Sequence, residues 1–300
     1  MSGATIKRWS ALPVMGAALL LWTASVAAGA PAETSITSLA ATVETGRVSV
    51  SGAAEFAGPI AVIGTDGAGD ATVPDVGADL TSASLSTSYD SSGGMVTLRL
   101  AVADAPDDEA GEPPQGVHYT WGFTAREGAG AEREYQVSIV RRAVVANPGT
   151  TGPAFRLSTC TASPVFVCVM VTALTGTIGR EEVTVDVPLQ HLEGKPGTEL
   201  TTKQLISAAN VTAGPVSRFG AALDAVTVPP SPYAVPQPNV LLGMGEVGSS
   251  VPLTRYAVVD TAGTFAGSLP TDGHASGEKL IAARACLGGV CADASTMVTL

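Results

Sequence analysis

The chain has 300 residues, 27 acidic against 16 basic, for a formal net charge of −11 at pH 7. An acidic surface repels nucleic acid and anionic membranes, so partners held by electrostatic attraction to phosphate are excluded. Charged residues make up 14% and aromatic residues 5%, where roughly a quarter charged is usual; Ala, Gly, Thr, Val and Ser fill the gap, which suits short strands and turns better than helices.

The N-terminus has the three-part pattern of a secretory signal peptide. Lys7 and Arg8 precede an uncharged apolar run over residues 11–26, and Ala27, Ala28, Gly29, Ala30, Pro31 and Ala32 follow. The run is shorter than the about 20 residues that span a bilayer. Residues 1–32 are therefore expected to be a leader, cleaved between 27 and 32, which leaves an exported chain with no membrane span. Its two basic residues go with it, so the net charge moves from −11 to −13, and of the three Trp only Trp121 remains.

Residues 33–228 read as an all-β sandwich, jelly-roll or Ig-like. SITSLAATVE and RVSVSGAAEF are strands flanking a turn at Gly46. A Gly-rich acidic loop follows, with Asp66, Asp70, Asp75 and Asp79. Next is the clearest hairpin of the chain. SASLSTSY leads through Asp90-Ser91-Ser92-Gly93-Gly94 into MVTLRLAVAD, whose Val96, Leu98, Leu100 and Val102 share one face; a period of two marks a strand with one buried side. The acidic, Pro-rich stretch 104–116 reads as a solvated loop. HYTWGFTA then places Tyr119, Trp121 and Phe123 on one face, and YQVSIV does the same with Tyr135, Val137 and Ile139. FRLSTC, VFVCVMV and EEVTVDVPL are further strands, and 217–226 (SRFGAALDAV) is the best candidate for a short helix. Strands every 8–12 residues between turn signals are the mark of a sandwich. Residues 229–239 carry five prolines and read as a semi-rigid connector. Residues 240–300 then form a small Ig-like β module.

An even number of cysteines in an exported chain predicts disulfides. Cys160 and Cys168 are expected to pair, as are Cys286 and Cys291. In CLGGVC, Gly288-Gly289 is a two-residue hairpin turn. It sets Cys286 and Cys291 opposite each other as a non-hydrogen-bonded pair, with Cα atoms about 4.5–5.5 Å apart. Zinc is not expected, because it takes about four ligands and the three His are scattered.

Asp66, Asp70 and Asp79, with Asp75 between, are a candidate calcium site, since calcium takes oxygen ligands from carboxylates along flexible loops. The competing reading is a solvated loop in which Asp and Gly form turns. Tyr119 and Trp121 are a candidate sugar-stacking platform or, alternatively, core. GMGEVG at 243–248 matches a dinucleotide fingerprint in letters, but no helix start follows it. His274 and Ser276 sit too close in sequence for a triad. No catalytic constellation stands out.

These segments together resemble a group of uncharacterised proteins secreted by actinobacteria. The resemblance rests on RVSVSGAAEF, GTDGAGDATVPDVGADLTSASLS, VHYTWGF, FRLSTC, VDVPLQHLEGKPGT, AGTFAGSL and ARACLGGVCADAS. The D-x-x-G-D of Asp66 to Asp70 is also similar to the opening of DOMON-like and family-9-like carbohydrate-binding sandwiches. That likeness implies structural calcium near Asp66, Asp70 and Asp79. The expectation is an exported, non-catalytic surface or matrix protein with a binding or structural role, partnered by a cell-surface polysaccharide or protein. The alternatives are a calcium-stabilised carbohydrate-binding module and a secreted hydrolase with an unrecognised site.

Overall fold

Alternating apolar and polar residues become strands throughout the computed structural model, which describes residues 33–70, 79–103, 116–140, 155–161, 167–179, 181–192, 194–213 and 216–300. The expected leader, Asp75 and the acidic run 104–115 lie outside the described residues. Within them are twenty strands and one four-residue 3₁₀ turn, Leu189–Leu192. No helix among them is long and apolar enough to cross a membrane.

In chain order, β1 (Ser35–Glu44) and β2 (Arg47–Ala57) form a hairpin about Gly46, β3 (Ala61–Thr65) follows, and β4 (Leu80–Asp90) and β5 (Gly93–Val102) form a second hairpin. Next come β6 (Gly116–Arg126), β7 (Arg133–Val140), β8 (Phe155–Thr161) and β9 (Val167–Ala173), then β10 (Thr175–Ile178) and β11 (Glu182–Pro188). The 15-residue β12 (Glu199–Ala213) pairs with β13 (Val216–Ala225) and with β14 (Tyr233–Ala234). The C-terminal strands are β15 (Asn239–Glu246), β16 (Arg255–Tyr256), β17 (Val258–Val259), β18 (Thr264–Pro270), β19 (Glu278–Leu287) and β20 (Val290–Thr299).

These strands make three antiparallel sheets. The first has nine strands in the order β10-β11-β5-β4-β2-β18-β17, with β1 also on β2 and β3 on β4. The second has seven, β13-β12-β6-β7-β8-β9, with β14 on β12. The third has four, β16-β15-β19-β20. One continuous apolar core runs through all three. Leu98, Leu100, Val183, Val185 and Val187 supply it from the first sheet, and Trp121, Phe123, Tyr135, Val137 and Ile139 from the second. Val240, Leu242, Ile281, Ala285 and Leu287 supply it from the third. The all-β sandwich class is thus present, with both inner faces read correctly from the period of two.

Two boundaries differ from the expectation. Residues 240–300 are not a separate module. Strand β18 pairs with β2 over seven positions, Thr264↔Ala53 to Pro270↔Arg47, inside the first sheet. Phe265 and Leu269 are buried in the same core as Val48 and Val50. The Pro-rich stretch 229–239 is not a free connector either. Strand β14 pairs with β12, and Val235 is buried and exchanges backbone hydrogen bonds with Gly197 and Thr198 at 2.9 Å. The buried Tyr89 hydroxyl donates to the Pro236 carbonyl at 3.0 Å, and Tyr233 and Thr87 share a 2.8 Å hydroxyl contact. Proline limits backbone donors but leaves carbonyls free to accept, which is how this segment docks.

The expected helix at 217–226 is strand β13. Its backbone pairs with β12 from Ala213↔Val216 out to Ile206↔Ala225, across two register shifts. An Ala-rich ten-residue segment is a marginal helix alone, and a ladder along an exposed neighbouring strand overrides its propensity.

Two outcomes follow. A chain ending at residue 228 leaves one side of β2 without β18, and it will lack the single cooperative urea transition of the whole chain, measured by fluorescence. Trp121→Ala removes a side chain that is 1% exposed and will cost about 3–5 kcal/mol of unfolding free energy, measured in urea by circular dichroism.

Candidate metal centre

The candidate centre lies where the first sheet meets the edge of the second. Strand β3 ends at Thr65, which pairs with Ser82 of β4 and bridges to Thr227, just past β13. The next residue, Asp66, donates its N–H to the Thr81 carbonyl at 2.9 Å. The chain then turns through Ala68-Gly69, with Gly69 at φ 89, a conformation glycine adopts without strain. The bridge at Thr227 brings the end of β13, and with it Asp224, beside this loop.

One carboxylate oxygen from each of Asp66, Asp70 and Asp224 lies within 4.8 Å of the other two. Asp70 is exposed, and Asp66 and Asp224 are half-buried. Asp224 is held in place by the backbone: its Oδ2 accepts the Leu80 N–H at 2.6 Å and its Oδ1 the Ala225 N–H at 2.7 Å. Asp66 Oδ1 accepts the Gly67 N–H at 2.9 Å. Burial raises the Asp224 pKa above the ordinary carboxylate value; the two backbone donors oppose this, and the charges of Asp66 and Asp70 add to it. Like charge concentrated on oxygens alone suits a hard cation. Oxygens on opposite sides of a calcium ion at its usual 2.3–2.6 Å are separated by about 5 Å, so the 4.8 Å cluster fits within one shell.

Of the three residues singled out in the sequence, the structure groups Asp66 and Asp70 and places Asp79 behind them. Asp79 Oδ2 accepts the Gly69 N–H at 2.6 Å and braces the turn. Its Oδ1 is buried with no hydrogen-bond partner among the described residues. Asp224 has no local signal in the sequence. It lies about 150 residues downstream in a stretch that reads as a helix, and only the pairing of β13 with β12 brings it here.

Tyr119 and Trp121 are core residues. They are 0% and 1% exposed, so neither offers the open ring face that sugar stacking needs. Trp121 stacks on Phe123 at 4.0 Å between ring centroids, and its Nε1 donates to Thr202 Oγ1 at 3.0 Å. The GMGEVG stretch runs along β15 into a turn rather than into a helix. His274 and Ser276 are in an exposed loop.

Both disulfides are formed. Cys160–Cys168 links β8 to β9, and Cys286–Cys291 closes the hairpin of β19 and β20, each with a Cα separation of 4.1 Å. Gly288 and Gly289 have φ of 57 and 91, the positive pair that a tight two-residue turn requires.

A second polar group escaped the sequence reading. On the second sheet, opposite the aromatic face, Thr120, Ser138 and Arg156 stand side by side across β6, β7 and β8, with His118 two residues along. Burial, reinforced by the Arg156 charge, lowers the His118 pKa from 6.5 to about 4. The sequence offers no signal for this, because a lone His in a strand says nothing of its burial.

No protein-family model matches the chain, and neither a curated protein nor a solved structure shows significant similarity to it.

His118 and Asp224 act on stability in opposite directions. His118 is neutral in the folded chain, so its contribution is fully present above about pH 6.5 and is lost as pH falls toward 4. Asp224 has a pKa raised chiefly by burial, so protonation as pH falls relieves the cost of its buried charge, and with it the repulsion from Asp66 and Asp70, instead. Wild-type protein is expected to lose up to about 3 kcal/mol between pH 6.5 and 4 through His118, and His118→Gln should flatten that limb in urea titrations at stepped pH.

Proposed function

We propose that the protein is an exported, non-catalytic surface or matrix protein whose β-scaffold is clasped by a calcium ion at Asp66, Asp70 and Asp224. The observation that carries this reading is the convergence of three carboxylates from segments about 150 residues apart, within 4.8 Å of one another. Folding drives these like charges together, and a divalent cation turns the repulsion into a cross-link between the β3–β4 loop and β13. Calcium is the ion of choice because the cluster offers oxygen alone and millimolar calcium outside cells fills weak sites. Export is supported by the leader pattern of residues 1–32 and by two disulfides, which persist in oxidising compartments. In this role the ion is structural, and further oxygen ligands would complete the six to eight that calcium takes.

Differential scanning calorimetry in CaCl₂ against EDTA tests the reading. Saturation at about 100 times Kd adds about 2.7 kcal/mol, a rise in melting temperature of roughly 4–5 °C for a chain of this size. Asp70→Asn, at an exposed position, should fold normally in EDTA and lose that rise. Equal melting temperatures of the wild type in calcium and in EDTA would overturn the proposal.

A further inference from the structure

Strand β9 closes one side of the second sheet. Its sequence, VCVMVTA, is apolar on both faces, the pattern of a strand enclosed from both sides. Yet Val167, Val169, Met170 and Val171 are 49%, 63%, 48% and 43% exposed. The strand has no charged residue and no proline over its seven positions, two of the features that protect an edge, and its one register shift falls at its far end, between Met170 and Thr172. By contrast, the equally terminal β20 of the third sheet carries Asp293, ion-paired with Arg284 at 2.7 Å.

The backbone gives this edge a direction. Cys168 sits opposite Cys160 with a Cα separation of 4.1 Å, that of a non-hydrogen-bonded antiparallel pair. The N–H and C=O of Cys168 therefore point away from β8, as do those of Met170, which follows in unbroken register. The open side of β9 presents ladder groups as well as apolar side chains, so what fits it is another strand, apolar on both faces and free of charge.

We propose that the occupant is β9 of a second copy of this chain, paired antiparallel about a two-fold axis so that the two seven-stranded sheets become one. The strand meets its own requirements: among the described residues nothing pairs with its outer side, Val167 and Val169 stand on one face and Met170 on the other, and it carries no charge. On a chain of net charge −11, an uncharged strand is where two copies approach with least repulsion. A two-fold axis makes such a patch self-complementary. The Cys160–Cys168 bridge fixes β9 to β8 in advance, which lowers the ordering cost of association. Two short strands bury an area at the low end of specific interfaces, so the dimer is reversible, with a Kd in the micromolar range.

Sedimentation velocity on the full mature chain, from about 5 to 500 µM, tests this. The wild type should show a monomer–dimer equilibrium. Val169→Lys, at a site 63% exposed, should raise Kd at least tenfold with the melting temperature unchanged, whereas Val62→Lys, at a site on β3 that is 67% exposed, should leave Kd as it was. Met170→Lys serves as the second edge variant should Val169→Lys lower the melting temperature. A wild type that stays monomeric at the highest concentration overturns the proposal and leaves the edge to a strand from a different protein. Equal weakening by Val62→Lys and the edge variants also overturns it, since that would be unspecific apolar association.

Discussion

The structure depends on the two-sided pairing of β2. Over residues 47–53 this strand holds β1 on one side and β18 on the other, and at Phe56 and Ala57 it passes to β4. It therefore joins the N-terminal hairpin, the central sheet and the last third of the chain through one backbone. The contact is close enough to dictate sequence. A Cβ at Gly52 would lie 2.3 Å from the Ser38 carbonyl oxygen and 2.4 Å from Phe265 Cζ. At Gly263, in the turn before β18, φ is +74 and a Cβ would lie 2.1 Å from the Ala54 carbonyl oxygen. Any side chain at either place forces the strands apart, and with them Phe265 and Leu269 out of the shared core. The apolar core is continuous because this ladder leaves no seam at which a domain boundary could fall.

The candidate metal centre is a product of the same architecture. Asp224 meets Asp66 and Asp70 because β3 bridges to Thr227 and because the Leu80 N–H, at the start of β4, is donated to the Asp224 carboxylate. The centre thus sits at a junction between two sheets rather than within one loop. A cation there would act on the relative placement of the β3–β4 loop and β13, which gives a chain with few charged residues a strong cross-link outside its core. The buried Lys279 shows how the scaffold handles charge elsewhere: its Nζ reaches Glu246 Oε1 at 2.6 Å, directly across the β15–β19 ladder, as a buried ammonium requires.

Local pattern and long-range placement differ in how far they can be read from the sequence. The β4–β5 hairpin is legible residue by residue. Asp90 Oδ1 accepts the Ser92 N–H at 2.7 Å in the turn, and Val96, Leu98 and Leu100 face inward as their spacing requires. The Gly288-Gly289 turn and the Cys286–Cys291 pairing are legible for the same reason, because turn geometry alone sets them. What is not legible is set by partners far away in the chain. Residues 217–226 have helical composition but meet the open edge of β12. The prolines of 229–239 suggest a linker, yet their neighbours Tyr233 and Val235 dock on β12 and the 197–198 turn. Residues 240–300 have enough strands for a module of their own, and nothing local reveals that β18 belongs beside β2. For the candidate site, the loop supplies Asp66 and Asp70 visibly. The third carboxylate, Asp224, is fixed by sheet pairing that spacing does not encode, and Asp79 proves to brace the turn through Gly69.

The central claim is that Asp66, Asp70 and Asp224 share one calcium ion. It is tested most directly by anomalous diffraction from crystals grown in calcium. The expected result is a single anomalous peak about 2.3–2.6 Å from one oxygen of each of the three carboxylates. A map without a peak between these residues, or with the ion bound at another place and the three carboxylates turned apart, would contradict it.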